Sequence, residues 1–448
     1  FGTYGAYADA WGALDADEKI LGRIIIDHEH RDGFRDLERE ITEFLPTLQI
    51  KLASDKVLTL DYDHRKNDIV PDNYGIIFDS KQRIADVDTD SKYFSPMNFA
   101  EQTIDRFTVT HDWTLSSALS MRTALVYDQR DLSMLRNAGG SGGNAVNAMT
   151  NRNIRTQDDD MTFFIAQNEL IWETRTAGIG HTVLAGIEYS DTDMDTVRVG
   201  YSLPNIANVY APLVPETTLT GIAPVVSQGF DRKLSMTATG VYLQDQIAIG
   251  KAWKMRLGAR SDRIVASDNG VQGTTYRKID VDDTMNSVNA GVVWQPLETL
   301  SLYTGYSTGK FQNVATESSA IPLEPEVAVQ KEIGIKTVLL DGDADINLAA
   351  FDTEREDYFI TLPGALSPTP DGHDRTRGFD LDAGIRPFSG FSVQLSALVQ
   401  DPEVKSNTLA SNAVVSGPVT DRSIQGTQPT GVAKRSGNVW AVYDFQSG

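Results

Sequence analysis

Residues 323–360, LEPEVAVQKEIGIKTVLLDGDADINLAAFDTEREDYFI, constrain the fold more than any other stretch. From Val329 onward, Val329, Ile333, Ile335 and Leu339 fall on one side of a period-two pattern, with Lys331 and Thr337 between them. Gln330, Glu332, Gly334 and Lys336 take the other side. After Asp341-Gly342-Asp343 the alternation resumes, with Ile346, Leu348 and Ala350 against Asp345 and Asn347. Alternation of this kind places successive side chains on opposite faces of a sheet, and an Asp-Gly pair between two such runs is a hairpin turn signal. Strands of ten or more residues are long for a soluble sheet and right for a tilted crossing of a bilayer.

Most of the chain repeats this unit. Pairs of strand-like segments are predicted at 4–14 with 19–30, 42–53 with 56–66, 103–115 with 119–131, 161–174 with 181–193, and 234–249 with 253–265. Further pairs follow at 285–295 with 301–310 and 377–387 with 391–400, and a last strand at 438–445, for a total of about seventeen. Short turns join the members of a pair, whereas long loops are predicted at 67–102, 132–158, 195–232, between 265 and 285, and up to about 433. Short turns at one end and long loops at the other are the pattern of an outer-membrane barrel. The fold expected is therefore all-β, a transmembrane antiparallel β-barrel. One face of each strand meets lipid, as with Met255, Leu257 and Ala259 or Phe379, Leu381, Ala383 and Ile385. The other, with Lys254, Arg256, Arg260 and Asp262 or Asp380, Asp382 and Arg386, suits a wet lumen. All six tryptophans (Trp11, Trp113, Trp172, Trp253, Trp294 and Trp440) lie near the short turns, as an aromatic girdle at the lipid–water boundary requires. Tryptophans at the ends of soluble sheets would be placed the same way.

Composition agrees and excludes several classes. The 62 acidic residues outnumber the 40 basic ones, giving a net charge of −22, which argues against a nucleic-acid partner. The absence of cysteine removes disulfides and thiolate metal sites. No apolar run approaches the roughly 18–20 residues of a membrane helix, so a membrane location requires a closed sheet. The chain opens at Phe1 and stops at Gly448 just after a strand-like run, and is expected to be an internal segment of a longer protein.

Seven segments carry a family resemblance: HTVLAGIEYS (181–190), GVYLQDQIAI (240–249), WKMRLGARSDR (253–263), SLYTGYSTGKF (301–311), LEPEVAVQKEIGIK (323–336), LAAFDTERED (348–357) and TRGFDLDA (376–383). In this order they resemble the barrel of TonB-dependent outer-membrane receptors, in particular the ferric-siderophore branch. The resemblance implies a barrel of 22 strands, of which 1–448 supply the second to the eighteenth, with an N-terminal plug domain and the last strands lying outside the segment. It also implies a ferric siderophore as ligand, iron carried inside that ligand rather than as a cofactor, and energy from a TonB–ExbB–ExbD complex acting through the plug.

The residues themselves show no enzyme site. His28 and His30 share a strand face at a spacing that could chelate a metal, but are more simply polar positions near a strand end. The glycine run at 139–143 lacks the lysine and helix of a phosphate-binding loop. The carboxylate pairs Asp61/Asp63 and Asp380/Asp382 are more economically lumen charges than acid–base dyads. Binding is expected in the long loops, through Tyr74, Phe78, Tyr93 and Phe94 in one and Tyr201 and Tyr210 in another, unless these aromatics pack on themselves as a lid. Arg106, Arg122, Arg256, Arg260, Glu332 and Lys336 are expected to face the lumen and a plug. The function expected is active import of a ferric siderophore across the outer membrane. An importer of haem, a vitamin or an oligosaccharide on the same scaffold, or a passive porin, are the alternatives; a β-solenoid adhesin would require a short regular repeat that is absent.

Overall fold

A computed structural model describes residues 2–74, 77–81, 83–141, 147–314, 324–360, 369–406, 425–429 and 431–445. Among the described residues seventeen strands follow one another: β1 (Thr3–Ala13), β2 (Ile20–Asp32), β3 (Glu38–Ala53), β4 (Lys56–Ile69), β5 (Phe99–Ser116), β6 (Leu119–Ser141), β7 (Thr150–Thr176), β8 (Ile179–Ser202) and β9 (Phe230–Ile249). Then come β10 (Trp253–Gln272), β11 (Thr275–Leu297), β12 (Leu300–Phe311), β13 (Glu326–Leu339), β14 (Ala344–Ile360), β15 (Thr369–Phe388), β16 (Phe391–Val404) and β17 (Arg435–Tyr443). Each strand pairs antiparallel with the next, from β1–β2 through β16–β17, so the sheet is an unbroken meander. The opening hairpin forms as expected: Leu339 pairs with Ala344, and the turn places Leu340, Asp341 and Gly342 at φ 53°, 55° and 104°. This left-handed conformation is one that Gly and Asp tolerate better than most residues.

Two predicted loops are strands instead. The sequence pattern predicts a loop over 132–158, but β6 runs on to Ser141 and β7 starts at Thr150; residues 142–143 of the glycine run lie outside the described residues. Between 265 and 285, β10 and β11 continue as a ladder to a turn at 273–274, where Gly273 takes φ 61°. In both places the strands have passed beyond the apolar band, and one face is covered by protein instead of lipid: Leu135 and Ile154 pack with Leu203, and Ala266, Ile279 and Val281 with Val314, so the lipid-imposed alternation that reveals a strand is lost.

Cross-strand register sorts every residue of the wall onto one of two faces. Arg256 pairs with Gly291 and Gln246, and Leu257 with Ala290 and Asp245. The face of Leu257 also carries Val241, Leu243, Ile187 and Ile333, large apolar side chains left exposed, Leu243 by 56% and Ile333 by 63%. A contiguous apolar surface of this kind needs lipid to cover it. Four tryptophans, Trp113, Trp172, Trp253 and Trp294, stand on this outward face next to the short turns. Trp253 and Trp294 stack at 5.7 Å, and the Lys56 ammonium lies 4.3 Å over the Trp113 ring. Trp11 and Trp440 depart from the girdle expectation. Trp11 shares a face with Arg23, Thr47 and Asp61, and Trp440 with Gln394, Gly384 and Asp345, which is the inner face. Proximity to a turn marks height, whereas face depends on register.

Buried side chains are found both on the strands, as with Asp128, Asp268 and Ile279, and in the loops. The bulkiest ones, among them Arg152, Met149, Ile154, Ile206 and Val209, lie where the strands emerge at the long-loop end. There the described residues of the loop 70–98, the tips of β6 and β7, and the loop 203–229 pack into one cap.

Candidate functional site

The cap is held by a buried polar centre. Arg152, near the start of β7, donates to both Glu216 carboxylate oxygens at 2.5 and 2.8 Å, to the Pro204 carbonyl at 2.8 Å and to the Tyr93 carbonyl at 3.2 Å. Both charged side chains are out of solvent. Burial works against the charge on Arg152, but the Glu216 hydrogen bonds and charge outweigh it and hold the guanidinium ionised. The Tyr93 hydroxyl donates to the Val209 carbonyl at 2.5 Å, and Ser95 N–H donates to the buried Asn137 side chain at 2.7 Å. Ile77, Ala85, Tyr93, Met149, Ile206 and Val209 fill the space around this centre, with Tyr74 against them; burial pushes the Tyr74 phenol up.

This geometry divides the six loop aromatics. Tyr93 and Phe94 are only 2% and 5% exposed, so the expectation of surface binding groups is corrected: they are the cap's interior, because their rings have no other apolar phase to enter. Tyr74 is half-buried beside them. Tyr201 extends β8, bridges to Pro224, and packs on Leu135, Ile154 and Leu203. Phe78 and Tyr210 remain exposed. Phe78 bridges to Ile84, and the adjoining Arg83, whose guanidinium is exposed, is fixed by Asp79 at 2.8 Å. Phe78, Ile84, Arg83 and Tyr210 thus supply apolar and cationic groups on the cap's surface.

Below the cap, the inner face carries a continuous polar ladder. Arg260 on β10 binds Glu188 of β8 at 2.7 Å and Asp262 at 2.6 Å, and lies over the Tyr242 ring. Tyr242 donates to Glu169 at 2.7 Å and accepts from Gln167 at 2.9 Å. Its ring crosses Gly186, where any Cβ would collide with it, and Tyr303 crosses Gly334 in the same way. These two glycines let a tyrosine lie flat along the wall. Arg106 reaches Asp128 at 2.7 Å, and Arg130 holds the same carboxylate at 2.6 Å. Arg122 stands opposite Asp112 and Glu169 in register. Arg256, Glu332 and Lys336 line one cavity of about 770 Å³, with Lys336 5.2 Å from the Tyr303 ring. All six expected lumen residues therefore share the inner face.

A row of arginines was missed. Arg155, Arg198, Arg232 and Arg277 lie on the same inner face above the ladder, on β7, β8, β9 and β11. Arg198 donates twice to Gln157 and stacks over Phe230 at 4.2 Å, while Arg232 binds the buried Asp268 at 2.7 Å. Each sits in a stretch read as loop, or at its border, where face could not be assigned. His28 and His30 point outward to separate partners, Thr42 at 3.0 Å and Asp32 at 2.9 Å.

The family model described as TonB dependent receptor-like, beta-barrel, matches residues 48–448. The chain belongs to the TonB-dependent receptor β-barrel family. It is an outer-membrane barrel sheet, and the family is one of transport receptors. Among curated relatives, the probable TonB-dependent siderophore receptor PiuA of Acinetobacter baumannii is 24% identical over 96% of this chain and 63% of its own length. The ferrioxamine B receptor of Salmonella typhimurium is 24% identical over 99% of the chain and 60% of its own length. The metal-pseudopaline receptor CntO of Pseudomonas aeruginosa is 25% identical over 66% of the chain. The chain thus spans 40% of the length of CntO and about three-fifths of the other two. In solved structures, the siderophore receptor PiuA shares the fold with a TM-score of 0.82 at 20% identity, covering 98% of this chain and 68% of that one. The ferric-catecholate import receptor Fiu of Escherichia coli K12 does so with 0.78 at 17%, over the same shares.

Proposed function

We propose that the chain is the barrel of a receptor that binds a ferric siderophore at its outer vestibule and imports it, energised through TonB, ExbB and ExbD. The supporting observation is the pairing of a packed, hydrogen-bonded cap with a charged inner wall. The cap holds Phe78, Arg83 and Tyr210 at its surface on a buried Arg152–Glu216 anchor. Beneath it, Arg198 and Arg232 face a passage lined by the Arg260–Glu188–Tyr242 ladder. Aromatic rings with guanidinium groups suit a bulky metal chelate, where affinity comes from a few converging anchors. Arg106, Arg122, Arg256, Arg260, Glu332 and Lys336 form the surface against which a plug domain packs. The protein has no catalytic role, and the iron travels inside its ligand. Similarity to the probable siderophore receptor PiuA and to the ferrioxamine B receptor supports the ligand class.

The test is uptake of radioactive iron by cells that make the full-length protein and lack other iron receptors. Import of one ferric siderophore, lost when TonB is deleted, is the expected result. Uptake indifferent to TonB would contradict it.

A further inference from the structure

On the outward face of β14 and β15, three ligand-type side chains converge. Glu354, Glu356 and His373 bring donor atoms within 4.8 Å of one another. Strand parity puts Glu354 and Glu356 on the face of Ile346 and Leu348, away from the lumen. His373 lies fifteen positions from the end of β15 at Phe388. A tilted strand climbs about 2.5 Å per residue, so the cluster stands some 35–40 Å above the short turns, beyond an apolar band of about 25 Å. It is therefore in water at the extracellular rim, and outside the import path.

Three observations distinguish the cluster from ordinary surface charge. Glu356 and His373 face each other in register, with Nε2 and Oε1 3.7 Å apart. That is too long for a hydrogen bond, but close to the roughly 3.4 Å between two donors bound tetrahedrally to one metal at about 2.0–2.1 Å. His373 Nε2 is itself shielded from solvent and makes no hydrogen bond, a costly state for a ring nitrogen. The pairing of β14 with β15 is then broken just past Glu356, where Asp357 takes φ 60°; irregularities of this kind re-aim neighbouring side chains. The Lys405 and Ser406 N–H groups, just past the end of β16, donate to the His373 carbonyl at 2.7 and 3.1 Å and fix the residue. Arg375 forms an ion pair with Glu354 at 3.0 Å, but its hydrogen bonds go to both oxygens of Asp352 at 2.8 and 2.5 Å. Asp352, Glu354 and Glu356 outnumber Arg375 and Arg377, so the site keeps an excess of negative charge.

We propose that Glu354, Glu356 and His373 bind one first-row divalent transition-metal ion of the Zn²⁺ or Co²⁺ class. An imidazole with two carboxylates suits these ions, whereas Ca²⁺ and Mg²⁺ prefer all-oxygen sites. The ion bridges β14 to β15 where their ladder is irregular, and its remaining coordination positions face outward. Ferric cargo plays no part in this site, so the inference stands apart from the import reading.

The experiment uses the full-length protein without an affinity tag, purified in detergent and stripped with chelator. Zn²⁺ is titrated in competition with a chromophoric chelator, and bound Cu²⁺ is examined by electron paramagnetic resonance. One equivalent of Zn²⁺ should bind. His373→Gln and Glu356→Gln should each weaken it by at least about tenfold, the loss that even outer-shell substitutions produce. Glu403→Gln, on the neighbouring strand, should leave the affinity unchanged. Circular dichroism establishes that each variant is folded. The Cu²⁺ spectrum of the unaltered protein should show nitrogen coupling from a single imidazole, which keeps the test valid should a variant misfold. Failure to compete for Zn²⁺, affinity unchanged in both triad variants, or coupling from no imidazole or from two would overturn the proposal.

Discussion

The cap and the wall are built from the same strands by opposite rules. In the cap, Met149, Ile154, Ile206 and Val209 disappear from solvent around the Arg152–Glu216 pair, as in the core of a soluble domain. Along the wall, Val241, Leu243 and Leu257 stay exposed on one face while Arg260, Glu188 and Tyr242 bond to one another on the other. The difference lies in what each region meets. The wall's outer face has lipid as its apolar phase and needs no core, whereas the cap is surrounded by water and must make its own. Among the described residues, the clusters of buried apolar side chains form where the strands leave the bilayer.

The largest expected effect tests the cap. Glu216→Ala leaves the Arg152 guanidinium buried without its partner, at a cost of about 3–5 kcal/mol. Hydrogen exchange should speed up across 70–98 and 203–229 and remain slow in the wall strands; equal acceleration of both would merge the two regions. Next is the wall's outer face. Leu243→Arg, near mid-bilayer on β9, should destabilise by about 2–4 kcal/mol in lipid, while Gln244→Arg on the inner face should change stability little. Denaturant titration in liposomes reads both, and equal losses would contradict the assignment of faces. A smaller effect probes the ladder: Gly186→Ala forces the Tyr242 ring off the wall and should cost about 1–3 kcal/mol, against almost none for Gly309→Ala, where an added Cβ meets nothing. The smallest is a pH effect in the cap. Backbone N–H bonds from Arg83 and Lys81, with the Arg83 guanidinium, hold the Asp79 carboxyl below its ordinary value. A lowered carboxylate stabilises above its unfolded pKa and loses that contribution as pH falls through the folded one. Proteolysis of the 77–85 turn should therefore be flat from pH 8 to about 5 and increase only below about 4.

How much of this was legible depended on where lipid touches the strand. The faces of β10 and β13 to β15 could be read from period two, because lipid on one side and a wet lumen on the other impose it: Leu257 against Arg256 is visible in the sequence alone. Past the bilayer the constraint ends. Asp158 falls in a stretch that reads as loop, yet it lies within β7, where lipid no longer imposes apolar alternation on the strand. The same loss hid Arg198, Arg232 and Arg277. Composition found the aromatic loop but could not tell Tyr93, which faces inward, from Tyr210, which does not. Arg152 and Glu216 lie 64 positions apart and are joined only by folding.

The central claim, a gated receptor with a binding cap, is tested most directly by titrating the full-length protein in detergent with ferric siderophores and their iron-free forms, following intrinsic fluorescence. Four of the six tryptophans lie near the short turns on the outward face, so quenching by a ferric ligand in the cap should fall mainly on tyrosine emission. Saturable quenching by one ferric complex, absent with haem, vitamin or sugar controls and reduced in Tyr210→Ala, is the predicted result. No quenching by any siderophore, together with steady ion conductance in a planar bilayer, would contradict the account and make the barrel an open pore.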